Sequence, residues 1–133
     1  MSQDRSEEVK KTIDRLFTGM RNSDEAAILS CFATDAVLQS VAQDKDGNTT
    51  VKSNPISGFA ASISKLPKQA ADERIQYEKI LIDGNLAFAW TPYEFHYNGK
   101  FSHCGVNAFT LVYLNGDWKI NHIIDTRRKE NCK

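Results

Sequence analysis

Residues 84–126 read GNLAFAWTPYEFHYNGKFSHCGVNAFTLVYLNGDWKINHIIDT, and this stretch decides the fold. It contains three segments rich in the β-branched and aromatic residues that favour strands, namely 86–97, 101–114 and 117–126. Asn98-Gly99 and Asn115-Gly116 separate these segments, and Asn-Gly suits a tight hairpin turn because both turn positions need positive φ. Strands of about a dozen residues reach about 40 Å, and strands of that length twist and curl. The stretch therefore predicts a strongly curved antiparallel sheet.

The chain before this stretch contributes shorter strands. Residues 73–82 have strand character and lead into a tight turn at 83–85. Residues 36–41 form another predicted strand, and 49–52 are a candidate returning strand after the polar turn at 44–48. The predicted sheet thus has four to six strands.

Apolar residues at helical spacing predict two or three helices in the N-terminal half. The first helix covers about residues 6–21, and its apolar stripe consists of Val9, Ile13, Leu16, Phe17 and Met20. A short second helix follows the break at 22–24, and a third begins at Pro55 and ends before Pro67. Helices segregated from strands predict one α+β domain over 1–133. The helices would cover the hollow face of the sheet, and the wide end of the resulting cone would be a pocket.

The composition argues against several partners. Seventeen Lys and Arg balance seventeen Asp and Glu, so no net charge attracts nucleic acid or an anionic membrane surface. No apolar run approaches the roughly 20 residues of a membrane span. The first eight residues, MSQDRSEE, are hydrophilic and unlike a secretory signal. We expect a cytoplasmic protein without a cofactor, unless a leader has been removed.

The three cysteines, Cys31, Cys104 and Cys132, lie far apart and lack the C-x-x-C spacing of zinc and redox sites. We expect them to be free thiols, and we expect no metal site. A Cys104–Cys132 disulfide is the alternative, and it would require an oxidising compartment.

Two motifs resemble the nuclear-transport-factor-2-like (NTF2-like) superfamily. The first runs from Leu16-Phe17 through Asp24 to residues 31–36, CFATDA, and the second is NGDWKI at 115–120. This superfamily has the cystatin-like cone of ketosteroid isomerase, scytalone dehydratase and SnoaL-like polyketide cyclases. The resemblance covers nearly the whole chain and implies the cone. It does not select a function, because such cones host isomerases, dehydratases, cyclases and transport adaptors.

The resemblance also excludes one activity. In ketosteroid isomerase a Tyr on the first helix and a protonated Asp in the sheet hold an oxyanion, and a second Asp is the base. Aligned on residues 31–36, these roles fall on Leu16, on about Asn107 and on Ser40. Neither Leu16 nor Ser40 can perform that chemistry.

Strand alternation selects the candidate catalytic residues. The bulky odd-numbered residues of 101–114 suit the helix-covered face, and the same parity directs His103 and Asn107 inward. In the last strand His122 follows Trp118 and Ile120 inward unless a bulge intervenes. A pocket histidine could act as a general base near neutral pH. Each histidine could equally be a hydrogen-bonded structural residue.

The candidate ligand-binding residues are mostly apolar or aromatic, as in small-molecule sites generally. They are Leu16, Phe17, Trp90, Tyr93, Phe109 and Asp125. Trp90 could instead be a core residue, and Asp125 could form an exposed pair with Arg127, which would then belong to a solvated tail.

Three functions stay open. The cone could bind a small apolar or aromatic molecule, or it could be an isomerase, dehydratase or cyclase that uses a pocket histidine. The chain could also be a homodimeric interaction module, and we expect a homodimer through the outer sheet face together with ligand binding. In that case the small and β-branched residues of the outer sheet face would form the interface, namely Val106, Ala108, Thr110 and Val112.

Overall fold

The C-terminal hairpins form where the Asn-Gly turns predict them. In the computed structural model, which describes residues 5–132, Asn98 and Asn115 have φ of 52° and 51°, and Gly99 and Gly116 follow at 82° and 85°. The strands that flank these turns are β5 (Leu86–Tyr97), β6 (Lys100–Leu114) and β7 (Asp117–Asp125). The remaining strands are β1 (Phe32–Gln43), β2 (Thr49–Asn54), β3 (Ala71–Ile75) and β4 (Lys79–Asp83). The helices are α1 (Arg5–Arg21), α2 (Glu25–Ser30) and α3 (Ile56–Ser64).

The seven strands form one curved sheet in the order β2-β1-β7-β6-β5-β3. Strand β4 lies on the same side of β5 as β3: β3 pairs with residues 93–97 of β5, and β4 pairs with residues 86–90. The α+β class with helices on a curved sheet is confirmed. The sheet is mixed, because β1 runs parallel to β7 while the other pairs are antiparallel. The predicted strand at 73–82 is divided into β3 and β4. The division lies opposite Pro92, which has no N–H to donate to a ladder.

A β-bulge in β7 changes which side chains face the core. Thr110 pairs with His122 while Leu111 pairs with Ile120, so Asn121 is an extra residue on β7. Trp118 and Ile120 are buried, and after the bulge Ile123 is buried instead of His122. The prediction that His122 points inward is therefore wrong, because the bulge reverses the alternation.

The helices cover the concave face of the sheet. Val9, Ile13 and Leu16 on α1 are almost fully buried, as the helical spacing predicts. Gly19 allows α2 to approach α1, since a Cβ there would lie 3.2 Å from Ile28 Cγ1. Asp24 caps α2 by accepting a hydrogen bond from the Ala27 N–H at 3.1 Å. Within residues 5–132, none of the helices is long and apolar enough to cross a membrane.

A disulfide joins Cys104 to Cys132, whose Cα atoms lie 5.7 Å apart. The expectation of free thiols is wrong for these two cysteines and holds for the buried Cys31. The reason is that the chain after β7 turns back along β6. Cys104 and Arg128 exchange backbone hydrogen bonds of 2.8 Å in both directions, which brings Cys132 to Cys104.

Candidate functional site

The concave face of the sheet encloses a cavity of about 510 Å³ beneath α1 and α3. Its walls are mostly apolar and include Leu16, Phe17, Met20, Phe59, Phe109 and Ile123. Phe17 and Phe109 meet edge to face with ring centroids 6.3 Å apart. A cavity of this size with apolar walls accommodates a small organic molecule.

A row of polar residues lies beneath the cavity, and two of its members, Asn107 and Asp125, border it. Thr91 of β5 pairs with Asn107 of β6, and Asn107 pairs with Asp125 of β7. Paired residues on one face of a sheet have Cβ atoms about 5 Å apart, so the three side chains are neighbours. Thr91 and Asn107 are 0% and 3% exposed. The floor therefore consists of polar groups shielded from bulk water.

Glu73 lies on β3, which pairs with the edge of β5 opposite β6, and its side chain extends to this polar row. Asn107 Nδ2 donates a hydrogen bond to Glu73 Oε2 at 2.8 Å and lies 3.3 Å from Thr91 Oγ1. Burial raises the pKa of Glu73 to about 7, and the charge of Asp125 adds to this rise. The Asn107 hydrogen bond and the charge of Arg127 act in the opposite direction. Near neutral pH this carboxyl can either release or accept a proton.

Asp125 is the second carboxyl of the floor, and its side chain is 14% exposed. Its Oδ1 atom is buried and has no hydrogen-bond partner among residues 5–132. Arg127 Nε lies 3.7 Å away, too far for a hydrogen bond, and the Arg127 side chain is 55% exposed. Burial raises the pKa of Asp125, although Ser40 and Arg127 oppose the rise.

His103 and Tyr93 form the aromatic side of the floor. The His103 ring stacks on Phe95 with centroids 5.3 Å apart and meets Tyr93 edge to face at 5.7 Å. Burial lowers the pKa of His103, and the positive charge of Arg127 lowers it further. The Tyr93 hydroxyl donates to the Thr126 carbonyl at 2.6 Å, and burial raises the pKa of this tyrosine.

Most of the residues selected from the sequence border this cavity. They are Leu16, Phe17, Tyr93, His103, Asn107, Phe109 and Asp125. Trp90 and His122 do not border it. Trp90 is 41% exposed because the odd-numbered residues of β5 face inward. His122 lies on the outer face, where Nε2 is 2.8 Å from Gln39 Oε1.

Sequence reasoning missed Glu73 and Arg127. Glu73 alternates with Ala71 and Ile75, which are a buried and a half-buried apolar residue of the same strand. That pattern of a carboxylate between inward apolar residues could have identified it. No local signal identifies Arg127, because its position depends on the return of the chain along β6.

A metal site has no support in this arrangement. Across residues 5–132, no three His, Cys, Asp or Glu side chains are grouped so that they could hold a metal ion. The polar floor offers hydrogen bonds, charge and the titratable groups of Glu73 and His103.

Comparison with known proteins identifies the family. Residues 4–122 match the family model described as "Putative lumazine-binding". The chain belongs to this family. The match covers most of the chain, including every strand from β1 to β6. No curated protein matches the chain.

The fold is shared with solved structures of low sequence identity. An NTF2-like protein of unknown function from Shewanella baltica OS155 superposes with a TM-score of 0.74 at 15% identity, covering 98% of each chain. An NTF2-like protein of unknown function from Silicibacter pomeroyi DSS-3 gives 0.74 at 15% identity, covering 96% of this chain and 99% of that one. A cystatin-like domain of unknown function from Nostoc punctiforme gives 0.72 at 11% identity, covering 98% and 81%. The predicted NTF2-like fold is confirmed.

Proposed function

We propose that the protein binds a small, largely aromatic molecule inside the cone. The observation that carries this proposal is the cavity of about 510 Å³, which combines apolar walls with a buried polar floor at one end. The family description names lumazine, a flat two-ring heterocycle, and the aromatic side chains of the cavity suit flat ligands. Lumazine is therefore the first compound to test.

The test measures ligand-induced stabilisation across a panel of aromatic compounds that includes lumazine. A ligand at about 100 times its Kd stabilises the folded state by about 2.7 kcal/mol, which a melting experiment detects readily. Ser62→Phe places a ring in the cavity from the exposed surface of α3 and should weaken binding by about tenfold or more. Ser57→Phe is the matched control, since Ser57 lies on the same helix outside the cavity. Uniformly absent shifts would refute the proposal.

Catalysis is the second candidate, supported by the position of His103 on the cavity wall. Because its pKa is lowered, the imidazole is a free base near neutral pH and could take a proton from a bound substrate. Asn107 is less suited to orient a substrate carbonyl, since its Nδ2 already serves Glu73 and Thr91. An isomerase, dehydratase or cyclase of this kind should lose activity in His103→Gln and keep it in His122→Gln. Equal loss in both variants would remove His103 as the base.

A homodimer through the outer sheet face is the third candidate and is compatible with ligand binding. Exposed apolar side chains on the strands support it, including Trp90 at 41% and Leu86 at 53% exposure. Val106, Ala108, Thr110 and Val112 would lie in the interface. A strictly monomeric species in light scattering at high concentration would remove this candidate.

The cytoplasm is the proposed location, and the zero net charge supports a protein without nucleic-acid or membrane partners. The Cys104–Cys132 disulfide argues against this location, because cytosolic thiols are usually kept reduced. Alkylation of free thiols in freshly lysed cells measures the redox state directly. Fully oxidised Cys104 and Cys132 would contradict a cytoplasmic location.

A further inference from the structure

One carboxylate oxygen on the floor of the cavity has no hydrogen-bond donor among residues 5–132. Glu73 and Asp125 contribute two carboxyls, and Arg127 is the cationic side chain that borders the same cavity. The Arg127 guanidinium is more than half exposed and lies 3.3 Å from Ser40 Oγ. Water therefore weakens its attraction to both carboxyls.

Asp125 carries this oxygen. Its Oδ1 atom is buried without a donor among the described residues, and an unsatisfied buried acceptor destabilises the fold. The paired residue Asn107 cannot supply the donor, because its Nδ2 is shared between Glu73 and Thr91. A molecule that donates a hydrogen bond at this position would satisfy Asp125.

Two other polar groups near the floor already have a protein partner. The Tyr93 hydroxyl donates to the Thr126 carbonyl, and His103 Nδ1 lies 3.0 Å from Ser102 Oγ. A ligand edge that presents only carbonyl oxygens or a carboxylate to Asp125 and Glu73 would place acceptors against acceptors. A ligand edge with adjacent N–H donors fits better, since such an edge pairs with a carboxylate through two parallel hydrogen bonds.

We infer that the natural ligand is a flat nitrogen heterocycle whose edge of adjacent N–H donors, as in a 2-amino-4-oxopyrimidine, pairs with the carboxyls of Asp125 and Glu73. This inference rests on the ligand-binding function proposed above. The rings would lie among Phe17, Phe95 and Phe109, which face the same cavity. Asp125 accepts from the ligand, and Glu73 accepts a second hydrogen bond when it is ionised.

Three pteridines of the same shape test the inference by calorimetry. Lumazine carries two ring carbonyls, pterin replaces one by an amino group, and 2,4-diaminopteridine replaces both. Pterin has its 2-amino group beside the ring N3–H, whereas the ring nitrogens of 2,4-diaminopteridine carry no hydrogen. We therefore expect pterin to bind tightest, by about tenfold or more over lumazine. The titrations are made at about pH 7.5, above the pKa of about 7 for Glu73 and below the pH at which pterin loses its N3–H proton. Equal affinities, or lumazine as the tightest ligand, would overturn the inference.

Variants assign the effect to the two carboxyls. Asp125→Asn and Glu73→Gln should each remove most of the preference for pterin over lumazine, while Glu94→Gln, on the outer side of β5, should retain it. Circular dichroism checks that each variant folds. If a variant does not fold, the affinities of the wild type for the three pteridines still test the inference. If other aromatic compounds bind and no pteridine does, the inference alone fails. If no aromatic compound binds, the proposed function fails with it.

Discussion

The two faces of strands β5, β6 and β7 both carry polar and aromatic residues, but they differ in how far those residues are shielded from water. On the inner face Thr91, Asn107 and Asp125 form a buried polar row beneath the helices. On the outer face the alternate positions include the half-exposed Trp90 and His122. Alternation along a strand sends neighbouring residues to opposite faces, so the contrast arises within the same strands.

The difference shows what the helical cover does to polar groups. On the inner face burial shifts the pKa values of Glu73, Asp125 and His103 away from their ordinary ranges. Polar groups on the outer face can exchange protein partners for water at little cost. The inner face is therefore the one on which single substitutions should have large and specific effects.

The largest expected contrast concerns two aromatic residues of neighbouring strands. Phe109→Ala removes a fully buried ring from the inner face and should cost about 3–5 kcal/mol of the free energy of unfolding. Trp90→Ala on the outer face should cost at most about 1 kcal/mol. Urea denaturation measures both. Equal losses would break the contrast and would indicate that another copy of the chain covers Trp90.

Reduction of the disulfide should release the segment that follows β7, which contributes Arg127 to the rim of the inner face. Cys104 and Cys132 are 28 residues apart, and closing such a loop stabilises a protein by roughly 3 kcal/mol. Dithiothreitol should lower the free energy of unfolding of the wild type by this amount. The free energy of unfolding of Cys132→Ser should equal that of the reduced wild type and should not change when dithiothreitol is added. A wild type that does not respond would contradict the disulfide.

The pH dependence of Glu73 sharpens the comparison further. Because its pKa in the folded state is raised to about 7, the folded state binds more protons than the unfolded state between about pH 4.5 and 7. The stabilisation is complete below this window and is lost as the pH rises through it, by at most about 3 kcal/mol. Glu73→Gln should therefore become more stable relative to the wild type as the pH rises from 4.5 to 8.

Urea denaturation at the two pH values measures this difference. Glu78→Gln is the control, because Glu78 is an exposed residue, whereas Glu94 lies 3.1 Å from the imidazole of His96. We expect little change for that variant at either pH. A Glu73→Gln difference independent of pH would show that burial does not affect this carboxyl.

The smallest expected effect comes from a pair of tyrosines on β5. Tyr93→Phe removes the 2.6 Å hydrogen bond to the Thr126 carbonyl and should cost about 1 kcal/mol. Tyr97→Phe, at a residue that is 41% exposed, should stay within about 0.5 kcal/mol of the wild type. Thermal melts resolve the difference. The reverse order would mean that the segment after β7 is not anchored to the inner face.

Much of the site could be predicted from strand alternation and helical spacing. Both patterns are local, and they selected Leu16, Phe17, His103, Asn107 and Phe109 as inward residues. Prediction failed for His122, because a single extra residue, Asn121, reverses the alternation. It failed for Trp90 because a strand with large residues at both parities does not reveal which face is covered.

The sequence by itself determined the α+β class, the three helices, the two Asn-Gly hairpins and the apolar walls of the cone. These features depend on backbone preferences and periodicity over a few residues, which can be read without knowing the fold. Only the tertiary structure decided that Glu73 meets Asn107, that Asp125 Oδ1 is buried without a donor among residues 5–132, and that Cys104 reaches Cys132. Those contacts join residues about 30 positions apart or depend on several strands at once. Strand register and the bulge in β7 determine them, and local residue preferences predict neither the register nor the bulge.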